Sequence, residues 1–144
     1  MKIITITIPG PPIARQRPRR SANGGMYDAQ DKEMIVLKRS VRSQCPQSHI
    51  IPDPKIPIIV NVTAFVEPAR TRLAKKGFAE KIKNEDHPHL QKPDKDNYLK
   101  TALDICSGII YHDDAQIYDG RTSKYWSTNP RMEIEIIIEE EKKQ

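Results

Sequence analysis

Cysteine is nearly absent from this 144-residue chain, which contains only Cys45 and Cys106. The two residues form no C-x-x-C pair and lie in separate segments, so the sequence excludes a zinc-finger type of site and a disulfide framework. We therefore expect two isolated, buried thiols in a reducing compartment.

Long apolar segments are also lacking. The N-terminal apolar run, Ile3 to Ile8, alternates with threonine and ends at Pro9. This alternation predicts a β-strand and excludes a signal peptide or a membrane span. We expect a cytoplasmic protein with no membrane partner.

Acidic residues are missing from the first 27 positions, and six bases outnumber two acids between Glu67 and Lys83. The formal net charge is +5, which favours a polyanionic partner such as nucleic acid. Proline and glycine punctuate both basic stretches, which are therefore predicted to be loops. Their candidate DNA contacts are Arg15, Arg17, Arg19, Arg20, Lys75 and Lys76. Aromatic residues make up only 6% of the chain and cluster late, where core or dimer packing is favoured over base stacking.

Hydrophobic periodicity predicts a single α/β domain of the α+β type over residues 1–144, a mixed sheet with helices packed on one face. The predicted strands span residues 2–8, 56–66, 116–127 and 131–139. The predicted helices span residues 28–43, with Met34, Ile35, Leu37 and Val41 as the inner face, and 95–106, with Leu99, Ala102, Leu103 and Ile105 as the inner face. A helix stop is predicted at Ser107-Gly108.

An acidic cluster stands out against the basic background. Asp94 and Asp96 precede and begin the second predicted helix, and Asp113-Asp114 precede the next strand. Two carboxylates at i and i+2, joined by a third from a later segment, are typical oxygen ligands for Mg²⁺, which keeps several waters and accepts substrate phosphate. The segment between residues 107 and 112 is long enough to return along the helix, because six extended residues cover about 20 Å.

Lys100 lies four residues after Asp96, so both side chains share one face of the helix, beside any phosphate that the metal holds. The alternative for Asp94 or Asp96 alone is a helix cap or a first-turn acid. For Asp113-Asp114 alone the alternative is an ordinary turn. His112 is a candidate general base but is better explained as a bystander, and His87 and His89 are predicted to be phosphate or surface contacts.

The pattern Lys-Pro-Asp-x-Asp-Asn-x-x-Lys at residues 92–100, an apolar helix and then Asp-Asp-Ala-Gln at 113–116 resembles the RusA family of Holliday-junction resolvases. The start of the chain, Ile-Thr-Ile-Pro-Gly-Pro-Pro followed by Gln-Arg-Pro-Arg, is similar as well. The resemblance implies that Asp94, Asp96 and Asp114 bind the metal and that Lys100 is catalytic. It also implies a homodimer that acts on four-way DNA with Mg²⁺ bound, with Mn²⁺ as the alternative metal.

The chain departs from this family pattern in one respect. The best-known members have arginines leading up to the first aspartate, where this chain has Lys92 and Pro93. Phosphate contacts would then come from Lys92 or Lys95.

The expected chemistry is hydrolysis of a DNA phosphodiester, with Lys100 either stabilising the developing negative charge or protonating the leaving oxygen. The resulting function is resolution of Holliday junctions in recombination and repair. Two alternatives stay open on the residues alone: a flap or branched-DNA nuclease of broader specificity, and a non-catalytic DNA-binding module.

Overall fold

The computed structural model describes residues 1–140 and shows a five-stranded mixed sheet with two long helices on one face. The strands are β1 (Lys2–Pro9), β2 (Arg19–Arg20), β3 (Met26–Tyr27), β4 (Ile58–Val66), β5 (Ile117–Asp119), β6 (Thr122–Trp126) and β7 (Arg131–Ile138). The helices are α1 (Asp31–Gln44), α2 (Arg70–Leu73), α3 (Phe78–Ile82) and α4 (Lys95–Cys106), and a 3₁₀ turn spans Asp114–Gln116. The predicted α+β class is confirmed.

Alternating strands build the core. β7 lies between β1 and β4 and is antiparallel to both, whereas β5 and β6 run parallel to β4 along its other edge. Ile134 of β7 is opposite Ile6 on one side and Val62 on the other, and all three are essentially inaccessible to solvent. Because side chains alternate along a strand, every second residue of these three strands faces the helices.

Helix α1 packs on this face through Met34, Leu37 and Val41, as predicted. The prediction for Ile35 was wrong, since this side chain is 52% exposed. Ile35 follows Met34 directly and is therefore turned about 100° away from it around the helix. The helix also begins three residues later than predicted, because Asp28 lies before it and accepts a hydrogen bond from the Gln30 N–H.

Helix α4 has the predicted bounds, and it ends where predicted, with Ser107 extended and Gly108 at φ 78°. Its buried residues are Tyr98, Thr101, Ala102, Ile105 and Cys106. Leu99 and Leu103, which were predicted for the inner face, are only partly buried and pack at the edge of the core. The polar face of α4, with Asp96, Lys100 and Asp104, is consequently turned away from the sheet.

The strand predicted over residues 116–127 is broken into β5 and β6 at Gly120. This glycine has φ 148°, and a Cβ on it would lie 1.8 Å from the carbonyl oxygen of Val60 in β4. The close approach of the two backbones therefore requires glycine. The Arg121 N–H is satisfied beside the break by the side-chain oxygen of Asn61.

Both basic stretches contain regular structure that was not predicted. The first forms the small hairpin of β2 and β3, and the second contains α2 and α3. Such elements are difficult to predict from sequence because they are short and lie in polar stretches; α2 and α3 have only four and five residues. The second stretch is tied to the sheet where Arg131 donates two hydrogen bonds to Glu85 and lies 3.9 Å from the centre of the Phe65 ring.

The cysteine prediction is confirmed for Cys106, where burial raises the thiol pKa to about 12. It was wrong for Cys45, which is only half-buried at the end of α1. Between residues 1 and 140, no helix is both long enough and apolar enough to cross a membrane.

Candidate active site

The start of α4 presents the first two carboxylates. Asp94 occupies the N-cap position with extended backbone, yet its side chain makes no capping hydrogen bond. Its carboxylate instead pairs with the ammonium group of Lys92, with 3.1 Å between Nζ and Oδ1. Asp96 follows in the first turn and is exposed. Capping therefore does not occupy the Asp94 carboxylate, which remains available for ligands.

The segment that leads into Asp94 is held by Lys124 from β6. Its ammonium group donates to the carbonyl oxygens of Gln91 at 2.7 Å and Pro93 at 2.8 Å. A side chain from the sheet thus fixes the backbone immediately before the two acids. The sequence gives no sign of this role for Lys124.

A cleft of about 740 Å³ opens over the polar face of α4. Its lining residues are Arg15, Gln16, Arg17, Pro18, Lys92, Asp94, Asp96, Asn97, Lys100 and Asp104. The structure therefore brings together Asp94, Asp96 and Lys100 with the predicted DNA contacts Arg17 and Lys92. Acids that suit a cation and bases that suit phosphate share one surface.

The opposite wall of the cleft is the chain between β1 and β2. Its backbone is fixed to α4, since the Arg15 N–H donates to the Asn97 carbonyl at 3.0 Å and the Thr101 hydroxyl donates to the Ile13 carbonyl at 2.7 Å. The buried Gln30 side chain donates to the Ala14 carbonyl. Thr101 and Gln30 are positioning residues that the sequence analysis missed, because their roles depend on a distant segment.

Arg15 was predicted to contact DNA, and its guanidinium group lies between two carboxylates. Nη2 is 2.7 Å from Asp28, and Nε is 2.8 Å from Asp104. The hydrogen bond to Asp28 is the largest cause of the raised pKa of Arg15, and the same bond lowers the pKa of Asp28. Its Nη1 atom donates to the side-chain oxygen of Gln30, so Arg15 uses its donors within the protein, which distinguishes it from Arg17.

Asp114 lines an adjoining cleft rather than the first one. Arg15 and Asp104 line both clefts, so they form the boundary between Asp114 and the Asp94–Asp96 pair. The Oδ1 atom of Asp114 is buried without a hydrogen-bond partner. Burial, followed by the charges of Asp104 and Asp113, raises the pKa of Asp114. An unpartnered carboxylate oxygen in this position is one that a cation could satisfy.

The turn that carries Asp114 is built by Gln116. Its buried amide accepts from the N–H groups of His112 and Asp113, and donates to the carbonyls of Asp53 and Ile56. Asp113 accepts from the Ala115 N–H and thereby caps the 3₁₀ turn. Asp113 has a structural partner, whereas Asp114 faces the cleft. Gln116 was quoted in the sequence pattern but its role was missed.

The acids do not form a closed metal cage. Across the 140 residues that the structure describes, no three His, Cys, Asp or Glu side chains are gathered closely enough to hold a metal ion. The donors nevertheless suit a hard cation, because all are carboxylate oxygens and Mg²⁺ usually takes only one or two carboxylates and keeps its waters. By donor type, the carboxylates of Asp94 and Asp96 and the unpartnered oxygen of Asp114 suit such an ion, but they line separate clefts and are not gathered around one point.

The remaining predicted contacts are spread around this region. Arg19 and Arg20 are exposed in the small hairpin, and Lys95 is exposed at the start of α4. Lys75 lines a second, basic groove, and Lys76 is exposed beside it. The alternative of a surface role was wrong for His89, which is 3% exposed, and Trp126 is buried against it. His112 is exposed next to Asp113.

The site combines a mixed sheet, a cleft with acidic residues and basic surroundings, which is typical of a nuclease. Comparison with known proteins identifies the class of nuclease. A sequence model described as "Endodeoxyribonuclease RusA" matches residues 9–137. The chain is also 32% identical over 143 residues to the uncharacterized protein YqaN of Bacillus subtilis (strain 168), with 94% of this chain and 96% of that protein covered.

The chain belongs to the RusA endodeoxyribonuclease family. It is therefore an enzyme of the Holliday-junction resolvase class that hydrolyses phosphodiester bonds in DNA, and the family's nucleases depend on metal ions in general. The resemblance inferred from the pattern at residues 92–116 is confirmed.

Proposed function

We propose that this protein is a Mg²⁺-dependent endonuclease that resolves Holliday junctions by paired cuts during DNA recombination and repair. The observation that supports this most is the shared cleft of Asp94, Asp96 and Lys100, walled by Arg17 and Lys92. Such a cleft can hold a cation and a phosphodiester side by side.

Asp94, Asp96 and Asp114 are the residues proposed to hold Mg²⁺, with Mn²⁺ as a substitute. The bound cation supplies activation of the attacking water and stabilisation of charge at the phosphate. Asp94 would exchange its ion pair with Lys92 for the cation, which frees the Lys92 ammonium group to contact phosphate. The 85% exposed side chain of Lys92 can make this exchange at low cost.

Lys100 is the proposed catalytic lysine, on the same helix face as Asp96. It lies one turn from Asp96 and one turn from Asp104, so its ammonium group reaches a phosphate in the cleft. There it stabilises the negative charge that develops in the transition state or delivers a proton to the leaving oxygen. The DNA backbone next to this phosphate would be contacted by Arg17, Lys92 and Lys95. The proposed contacts further along the DNA are Arg19, Arg20, Lys75 and Lys76. Arg15 acts by holding the cleft wall to Asp104.

Resolution requires two cuts on strands of like polarity, which a two-fold symmetric homodimer supplies. We propose that this protein forms such a homodimer and acts in the cytoplasm on four-way branched DNA. Each chain would form one endonuclease unit. Light scattering coupled to size-exclusion chromatography should give twice the chain mass. A mass equal to one chain at working concentration would contradict the dimer.

The central test is cleavage of an end-labelled synthetic four-way junction beside a linear duplex and a flap of the same sequence. Each substrate is incubated with Mg²⁺ and with EDTA, using the wild-type protein and Asp96→Asn. We expect paired, symmetric nicks on the junction that require Mg²⁺ and fall by on the order of 10³-fold in Asp96→Asn. Junction binding by Asp96→Asn should persist.

The other outcomes of this cleavage experiment would each favour one of the two alternative functions. Equal cutting of junction, duplex and flap would support a nuclease of broader specificity and overturn the junction selectivity. Absence of cutting with either Mg²⁺ or Mn²⁺, with DNA binding retained, would favour a binding module and overturn the proposed catalytic role of the cleft.

A further inference from the structure

A second groove adjoins the acidic cleft. Its volume is about 430 Å³, and its functional lining consists of Arg72, Lys75, His89, Gln91, Lys92 and Trp126. Glu67 is the acid among its lining residues. Lys92 lines both this groove and the acidic cleft, so the two adjoin each other at this residue. A strand with one phosphate in the cleft could place a neighbouring phosphate in the groove.

His89 is a buried polar residue in this groove without a complete set of partners. The side chain is 3% exposed, and its Nδ1 atom has no hydrogen-bond partner. The backbone is fixed, because the His89 N–H donates to the Lys124 carbonyl at 3.1 Å. The imidazole therefore retains hydrogen-bonding capacity that no group within residues 1–140 of the protein uses.

Aromatic packing holds the imidazole ring in place. The ring meets Trp126 edge-on, with 4.4 Å between centroids, and the guanidinium group of Arg72 lies 5.1 Å from the centre of the Trp126 ring. Arg72 also lies 5.8 Å from the Phe78 ring centre. His89 and Arg72 are therefore preorganised, which reduces the entropy lost when they bind a ligand.

We propose that this groove binds a backbone phosphodiester next to the scissile one, with His89 donating a hydrogen bond to it and Arg72, Lys75 and Lys92 supplying the positive charge. The proposal rests on the proposed endonuclease function and adds a subsite to it. The subsite would position the strand that is cut. It would not take part in bond breaking.

The charge state of His89 gives the proposal a distinctive signature. Burial, and then the charges of Lys124 and Arg72, lowers the pKa of His89, so its imidazole is neutral near neutral pH. A neutral imidazole still carries one N–H donor. Loss of this donor should weaken DNA binding without changing its salt dependence, because no counterion is released by a neutral contact. Loss of Lys75 should change the salt dependence.

The test measures junction affinity by fluorescence anisotropy over a series of salt concentrations, in EDTA and in the Asp96→Asn background to prevent cleavage. His89→Phe, which keeps an aromatic ring against Trp126, should weaken binding roughly tenfold with an unchanged salt slope. Lys75→Ala, at an exposed position, should reduce the slope by about 0.9. Lys81→Ala removes an exposed charge of the same stretch outside the groove lining and should leave the slope unchanged.

Trp126 provides a direct readout, because it is the only tryptophan of the chain and lines the groove. Its emission should change saturably as a labelled junction is titrated, in parallel with the anisotropy. The change should be reduced in Lys75→Ala. If His89→Phe lowers the melting temperature, Lys75→Ala and the wild-type emission still decide the question.

Junction binding that leaves Trp126 emission unchanged would overturn the subsite. So would wild-type affinity in both His89→Phe and Lys75→Ala, or a slope change in Lys81→Ala equal to that in Lys75→Ala. Failure of the endonuclease function is separate: the wild type would then cut no junction, whatever the binding variants do.

Discussion

The two ends of α4 carry acids with different partners. At its start, the Asp94 side chain is 57% exposed and its partner is the 85% exposed Lys92. Near its end, Asp104 accepts from Arg15, whose side chain is only 20% exposed and also binds Asp28. Asp114 lies beside this second group with a buried, unpartnered oxygen.

The two groups of acids therefore differ in how accessible they are to ligands and in how firmly their positions are fixed. The exposed acids can meet a cation and a DNA phosphate directly, at little cost to folding. The half-buried Asp114 is held in one position by its turn, but its negative charge is disfavoured there. Substitution of an acid at the start of α4 should therefore reduce cleavage without changing folding stability. Substitution of Asp114 should reduce cleavage but increase folding stability.

Asp114→Asn gives the sharpest test of this opposition. We expect cleavage to fall by on the order of 10³-fold, while the metal-free melting temperature near pH 7 rises. A raised folded pKa means that the folded state binds more protons, so stability declines as pH rises through the window between the unfolded and folded pKa values. Below about pH 3.5 the advantage of Asn should vanish, because both states of the wild type are then protonated.

Asp96→Asn is the matched control, since it removes a charge from the exposed end. It should abolish cleavage but leave the metal-free melting temperature unchanged. Equal melting shifts in Asp96→Asn and Asp114→Asn would break the distinction between the two ends.

Lys100→Ala tests the chemistry at the exposed end. The cleavage rate with saturating junction should fall roughly 10²- to 10³-fold, because a charge stabiliser of the transition state is lost. Single-turnover rates and junction affinity should be measured together. Lys95→Ala, which removes a neighbouring charge, should weaken binding and spare the saturated rate; the reverse pattern would exchange the two roles.

Gln116→Ala tests whether the Asp114 end is held by its turn. Two N–H groups and two carbonyls lose their buried partner, which should lower the free energy of unfolding by about 2 kcal/mol. Denaturant unfolding gives this value. Gln44→Ala removes an amide that binds the backbone of Thr7 at an exposed site, so its loss should be smaller. Similar losses would argue against burial as the cause.

Lys124→Met tests the hold on the segment before Asp94 and should have the smallest effect. The Gln91 and Pro93 carbonyls lose a charged donor, and water can replace it at this partly exposed site. We expect the free energy of unfolding to fall by about 1 kcal/mol and the saturated cleavage rate to fall roughly tenfold. Lys32→Met, an exposed change on α1, should alter neither quantity.

Periodicity was sufficient for most of the fold. The alternation in β1, β4 and β7 and the apolar stripe of α4 are local patterns, so their approximate bounds could be predicted, together with inward residues such as Ala102 and Ile105 but not the limited burial of Leu99 and Leu103. The break at Gly120 could not, because it results from contact with the Val60 backbone in another strand. Nor could α2 and α3, whose four and five residues are too few for a period to show.

The candidate site divides in the same way. The pattern at residues 92–100 placed Asp94, Asp96 and Lys100 on one surface, because Asp96 follows Asp94 by two residues and Lys100 follows Asp96 by one helical turn, which is local geometry. The residues that support them were missed: Lys124, Gln116, Gln30 and Thr101 act on segments 16 to 88 positions away. Gln30 is the nearest of these, acting on Ala14 at a separation of 16.

The sequence by itself determined the family, the helix that presents the acids and the positive charge that surrounds them, since each depends on residue type and short-range spacing. Only the tertiary structure decided that Arg15 binds Asp104 and Asp28, that the Oδ1 atom of Asp114 is buried without a partner, and that His89 and Trp126 line a groove that adjoins the cleft. Burial and electrostatics depend on which distant segments meet, and the folded chain alone sets those contacts.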